Sequence, residues 1–273
     1  MKSKNGRGLQ IITECSIMIA LSAVLSVFKL FEMPYGGSIT LASFLPIVVI
    51  AYRHGLRYGL PTALCASLIQ MLLGLKNFSY FTSWQSIVAL AVLDYVVAFA
   101  CFGLCGIFKK WIKEQNLAMV LGATLASVIR YVCHVVSGAT VWAGLSIPTE
   151  AALGYSLSYN ATYMIPETII LLLTTAYLGS ALDFRQRLPM RMRNERLDTA
   201  SAYSLIGAGL AVLAALITDT ILVFSRLQDS DTGEFVITSL ASVNWLAVGI
   251  VTGVGIIIAG VLVVTVIYRK RRG

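Results

Sequence analysis

Asp94, Arg130, His134, Tyr155 and Asn160 are polar residues inside stretches that are otherwise apolar, in a chain of 273 residues that is 58% hydrophobic and only 12% charged. Ionisable groups in such stretches are expensive to desolvate, so they face one another or a cavity. Asp94 and Arg130 could form a structural ion pair, with His134 one helical turn from Arg130 at the i, i+4 spacing. The same residues could instead hold a ligand. A carboxylate among aromatic rings suits a flat organic cation, through charge pairing and a cation–π attraction of about 0.5–2 kcal/mol per contact. Rings are available in Tyr80, Phe81, Trp84 and Trp142. Asparagine adds a donor and an acceptor, and a tyrosine hydroxyl can be either.

Catalytic chemistry finds less support. The chain has no GxxxxGK[ST] phosphate loop and no HExxH metal motif. His134 could pair with Ser137, but no nucleophile motif surrounds them. Cys15, Cys65, Cys101, Cys105 and Cys133 all lie in apolar runs, which argues against a disulfide framework. Cys101 and Cys105 share a helix face without histidines or carboxylates at metal spacing. The expectation is a non-enzyme with no cofactor and no metal.

These residues must be positioned by membrane helices. Mean hydropathy is +0.81, too apolar for a soluble domain of ordinary composition. Crossing a hydrocarbon core takes about 20 apolar residues. Such runs cover approximately 11–31, 56–75, 86–108, 117–138, 151–178, 202–225 and 240–268, with a shorter one at 39–52 containing Pro46. The fold expected is all-α, a polytopic membrane helix bundle of eight crossings, the second short or irregular. A basic start followed by an apolar run also resembles a signal peptide, but the run carries Glu14 and reads as a retained first helix.

Lysine and arginine favour the cytoplasmic side of short loops. Seventeen of the 21 basic residues fall on alternate loops, against three (Lys29, Lys76 and Arg226) on the others. Both termini are therefore expected in the cytoplasm of a multi-pass protein of the cell membrane. The net charge of +8 reflects this topology and membrane lipid, not nucleic-acid binding. At 1.5 Å per residue, Asp94 and Arg130 lie about 12 Å below the outer ends of their helices, His134 and Tyr155 about 6 Å, and Asn160 about 13 Å. Three helices thus spend polar residues on one outward-facing layer beneath aromatic loops, the pattern of a ligand pocket open to the exterior.

Four separated stretches, GGSITL (36–41), LDYVVAFACFGLCG (93–106), RYVCHVVSG (130–138) and YSLSYNATYMIPE (155–167), resemble the thiamine-specific substrate-binding (S) component of energy-coupling factor (ECF) transporters. The resemblance covers roughly residues 9–185 and implies a six-helix thiamine-binding core at 1–196, with 197–273 as an additional two-helix hairpin and basic tail. It implies pocket residues Asp94, Tyr95, His134, Trp142, Tyr155 and Asn160. Trp142 would stack on the pyrimidine, and Asp94 would neutralise the thiazolium or accept from the amine. Tyr159, Tyr163 and Glu167 read as packing or interhelical hydrogen bonds. Some family members place tryptophans where this chain has Gly37 and Ala66.

The family also implies a transmembrane scaffold partner and two ATPases. Ser16-xxx-Ala20 on the first helix fits its small-xxx-small docking spacing, and small residues permit close helix approach. Gly249-xxx-Gly253 is a similar signal in the last helix. The alternatives are an autonomous proton- or cation-coupled thiamine carrier, and an S component for another vitamin or pyrimidine precursor.

Overall fold

Hydrocarbon offers the backbone no hydrogen-bond partner, so apolar runs close their own bonds as helices. The computed structural model describes residues 4–33, 36–145, 147, 149–150, 152–192, 199–227 and 237–272. Among them, seven helices are long and apolar enough to cross a membrane, and one shorter apolar helix accompanies them. In chain order these are α1 (Lys4–Val27), α2 (Leu45–His54), α3 (Leu56–Leu73), α4 (Trp84–Lys110), α5 (Gln115–Thr140), α6 (Ala152–Ala181), α7 (Thr199–Leu227) and α8 (Trp245–Arg272). The all-α membrane bundle expected from the sequence is the fold found. The chain divides into two compact units, Met1–Arg191 and Met192–Gly273. Lys2, Arg193, Arg196, the 196/197 boundary and most of the SRLQDSDTGEF loop lie outside the described residues.

The first unit departs from the sequence reading in the loop after α1. Helix α1 ends at Val27, and Lys29–Glu32 (β1) pairs antiparallel with Ser38–Thr40 (β2). Gly36 and Gly37 both take φ +93° in the turn between them, a conformation that a β-carbon disfavours. The run read as a second crossing is not among the seven helices long enough to cross, because Pro46 starts α2 and Gly55 ends it at φ 70°. Ten residues of helix span only about 15 Å.

Helices α2 to α5 meet backbone to backbone through glycine. A β-carbon at Gly106 would stand 2.0 Å from the Ala51 carbonyl oxygen, and one at Gly122 would stand 2.0 Å from the Cys105 carbonyl oxygen. In lipid, where burial of apolar surface does little to bring helices together, such close approach supplies the packing. Gln115, 3% exposed at the start of α5, ties that helix to the end of α6. Its amide donates to the carbonyls of Gly179 (2.8 Å) and Leu182 (2.6 Å) and accepts from the Phe184 N–H (2.9 Å). Glu14 of α1 pairs with Arg53 (2.5 Å) and His54 (3.0 Å), fastening α1 to the end of α2.

The second unit packs α7 against α8 at Gly255, where an added β-carbon would lie 2.6 Å from the Ala215 β-carbon. Thr252 donates to Asp219 across the same pair (2.6 Å). Beyond their own helix backbone, Gly249 and Gly253 have no described atom within 4 Å of where a β-carbon would stand.

Candidate functional site

The first unit encloses a cavity of about 650 Å³, within the range of small-molecule sites. Helix α4 carries Asp94 and Tyr95 on a π-helical segment, Ala91–Val97. A π-turn adds a residue to the turn and re-aims the side chains that follow, a feature frequent at functional sites. No periodicity in AVLDYVV announces it.

Asp94 is 8% exposed and both its oxygens are engaged. Oδ1 is 3.0 Å from Nδ1 of His134, and Oδ2 accepts from Nε1 of Trp142 at 2.9 Å. An ionised carboxylate can only accept, so Nδ1 carries the shared proton. In the neutral imidazole this leaves Nε2 a bare acceptor. Nε2 is buried and has no hydrogen-bond partner among the described residues. Trp142 in turn meets Phe81 edge to face (4.9 Å, 79°) and lies 5.9 Å from Tyr80. Of the four rings, Trp142 contacts Asp94, Phe81 and Tyr80 pack on Trp142, and Trp84 is 69% exposed at the first turn of α4. The Tyr95 hydroxyl donates to the Gly74 carbonyl (3.1 Å) and accepts from Asn77 (3.0 Å), which fixes its ring against Phe78.

Arg130 and Asp94 are not partners. Arg130 Nη1 donates to Glu167 Oε2 (2.5 Å), and its guanidinium lies 4.9 Å from the Phe44 ring centre and 5.1 Å from that of Phe99. Depth arithmetic matched Asp94 with Arg130, but rotation about the helix axes turns each to a different neighbour. Glu167 is indeed an interhelical hydrogen-bonding residue, and it also lines the cavity. The Arg130–Glu167 and Lys29–Glu32 pairs (2.5 and 2.6 Å) are internally balanced. Asp94 is held by the His134 imidazole and the Trp142 indole N–H, and among the described residues no arginine or lysine is in contact with it. Lys76 stands at the exposed rim.

On α6, Asn160 lines the cavity with Tyr159 and Tyr163, whereas Tyr155 is not among the lining residues. The Asn160 amide donates to the Ser156 carbonyl (2.9 Å), and its oxygen accepts from the Tyr163 hydroxyl (2.7 Å). Gly138 makes this possible, since a β-carbon there would lie 2.2 Å from Ser156 Oγ. Tyr159 donates to the Gly36 carbonyl (2.9 Å), anchoring the β1–β2 turn over the cavity. A β-carbon at Gly37 would fall 2.8 Å from the Tyr163 ring, so this position has no room for a tryptophan in this conformation. Ala66, 6% exposed, is core and does not line the cavity.

Residues 12–185, the stretch that builds this cavity, match the thiamine transporter protein family. The chain belongs to that family. It is 34% identical over 170 residues to the thiamine transporter ThiT of Bacillus subtilis (strain 168), covering 58% of this chain and 84% of that protein. A solved structure of ThiT from Listeria monocytogenes superposes with a TM-score of 0.51 at 23% identity, over 63% of this chain and 93% of that one, and shows the shared fold. The homologues are transporters, not enzymes, as the missing catalytic motifs lead one to expect. The family match ends before α7 and α8.

Proposed function

We propose that this chain is the membrane-embedded, high-affinity thiamine-binding subunit of an ECF-type vitamin uptake transporter, energised by a scaffold protein and two partner ATPases. The observation that carries the reading is Asp94. Among the described residues of the family-matched core it is a carboxylate with no arginine or lysine partner, bonded to the Trp142 indole, and it suits a flat cation. In this reading Asp94, Tyr95, His134, Trp142, Tyr155 and Asn160 form the ligand shell. His134 Nε2 accepts from an amine, and Trp142 supplies an aromatic face. Asn160 contributes its remaining acceptor capacity, and Tyr155, one turn above Tyr159, contacts the ligand at the outer end of the pocket.

Ser16 and Ala20 are both exposed on α1, which supports their use as the scaffold-docking surface. Purified alone and placed in liposomes, the chain should bind thiamine yet move none, because release from a tight site requires a second state that something else stabilises. Ser16→Trp or Ala20→Trp should leave binding intact while abolishing partner association and uptake. Uptake by the isolated chain under a proton gradient would replace this reading with an autonomous carrier. A different molecule co-purifying, identified by mass spectrometry, would replace the substrate.

We further propose that both termini are cytoplasmic, on the charge asymmetry of the loops. In a cysteine-free background, single cysteines at Ser79 and Thr149 should react with an impermeant thiol reagent in intact cells, and one at Asn116 should not. The reverse pattern would invert the topology and close the cavity to external ligand.

A further inference from the structure

We infer that a buried hydrogen-bonded chain from Arg130 through Glu167, Thr40 and Ser43 to Ser22 makes the position of α1 respond to what occupies the cavity. The inference rests on the functional reading above, which makes α1 the partner-facing helix.

The links are contiguous and shielded. Glu167 receives Arg130 Nη1 on Oε2 and the Thr40 hydroxyl on Oε1 (2.8 Å). Thr40 Oγ1 also lies 2.8 Å from Ser43 Oγ, and Ser22 of α1 donates to the Ser43 carbonyl at 2.7 Å. All five residues are buried, between 1% and 7% exposed. Arg130, Glu167, Thr40 and Ser43 line the cavity and Ser22 does not, so the chain starts at the ligand's position and ends outside it.

Two features give the chain discrete alternatives instead of a fixed lattice. Thr40 and Ser43 each bring one hydroxyl proton, so the link can run in either direction: Thr40 donates to Glu167 while Ser43 donates to Thr40, or Thr40 donates to Ser43 and leaves Glu167 Oε1 open. A ligand group that takes up one Glu167 oxygen shifts that choice toward Ser43. Between Thr40 and Ser43, Ala42 holds φ +55°, a left-handed conformation uncommon for a residue with a β-carbon. Residues kept there persist only where their surroundings enforce them. The Thr40–Ser43 turn is therefore the element able to change when its hydrogen bonds change, and the Ser43 carbonyl passes that change to α1. Coupling between separated sites is carried by packed, hydrogen-bonded elements with two arrangements. Ser22 and Ser26 lie on the buried side of α1, while Ser16 and Ala20 are exposed on the same helix.

The test is hydrogen exchange of the purified chain with and without saturating thiamine, read over residues 16–22 of α1, short of the cavity-lining Ser26, and around Asn160 in α6. Thiamine should slow exchange in both regions of the wild type, in α1 by about 2- to 30-fold, the range of such coupling. Ser22→Ala should keep thiamine affinity within about twofold, as expected for a residue outside the site. It should retain the α6 response and lose the α1 response. Ser22→Thr, which keeps the donor, should restore it. An α1 response of wild-type size in Ser22→Ala, or a wild type whose α6 responds while α1 does not, overturns this inference alone. A wild type that binds no thiamine overturns the functional reading and the inference with it.

Discussion

Asp94→Asn is expected to weaken thiamine binding about 10- to 150-fold, the equivalent of about 1.5–3 kcal/mol for a hydrogen bond to a charged group. The carboxylate accepts from two donors, the His134 Nδ1–H and the Trp142 Nε1–H. An amide can satisfy only one of them and points its own N–H₂ at the other. If the amide oxygen stays with Trp142, His134 must move its proton to Nε2. The Nε2 acceptor then becomes a donor. The substitution thus removes the negative charge and reverses a neighbouring hydrogen bond at once. Isothermal titration of folded protein checks it, and unchanged affinity would take the carboxylate out of the mechanism.

Gly106→Val should cost the first unit at least about 3 kcal/mol, the upper part of the overpacking range, and remove most folded protein from the membrane. The obstructing atom, 2.0 Å from the new β-carbon, is the backbone oxygen of Ala51 at the centre of α2, which cannot rotate away. Gly154→Ala is the control. Nothing lies within 4 Å of a β-carbon at that exposed position on α6, and alanine favours helix over glycine by about 1 kcal/mol. Thermal unfolding in detergent, followed by size-exclusion recovery, separates the two variants. A monodisperse Gly106→Val protein with the wild-type midpoint would show that α2 and α4 do not meet as described.

The sequence by itself determined the solvent of this protein and hence its elements. Apolar runs of about 20 residues in hydrocarbon have no alternative to helix, and the positions of α3 to α8 follow from the runs within a few residues. It also determined depth, because rise along a helix is fixed. That is why Asp94, Arg130, His134 and Asn160 were legible as one layer and are found lining one cavity, while Tyr155, read into the same layer, is not among the lining residues. Rotation about each axis was not legible, since it depends on which small residues let backbones touch. Close approaches at Gly106 and Gly122 set how α2, α4 and α5 face one another. Those contacts, not depth, send Arg130 to Glu167 and His134 to Asp94. The same limit hid the π-turn at Ala91–Val97, whose extra residue breaks the 3.6 period on which side-chain direction is read. It also hid the turn at Gly36 and Gly37, which folds the loop after α1 into a β-ribbon and whose Gly36 carbonyl accepts from Tyr159. A single chain's periodicity carries information along an axis. The pairing of charges across axes comes only when the helices are packed.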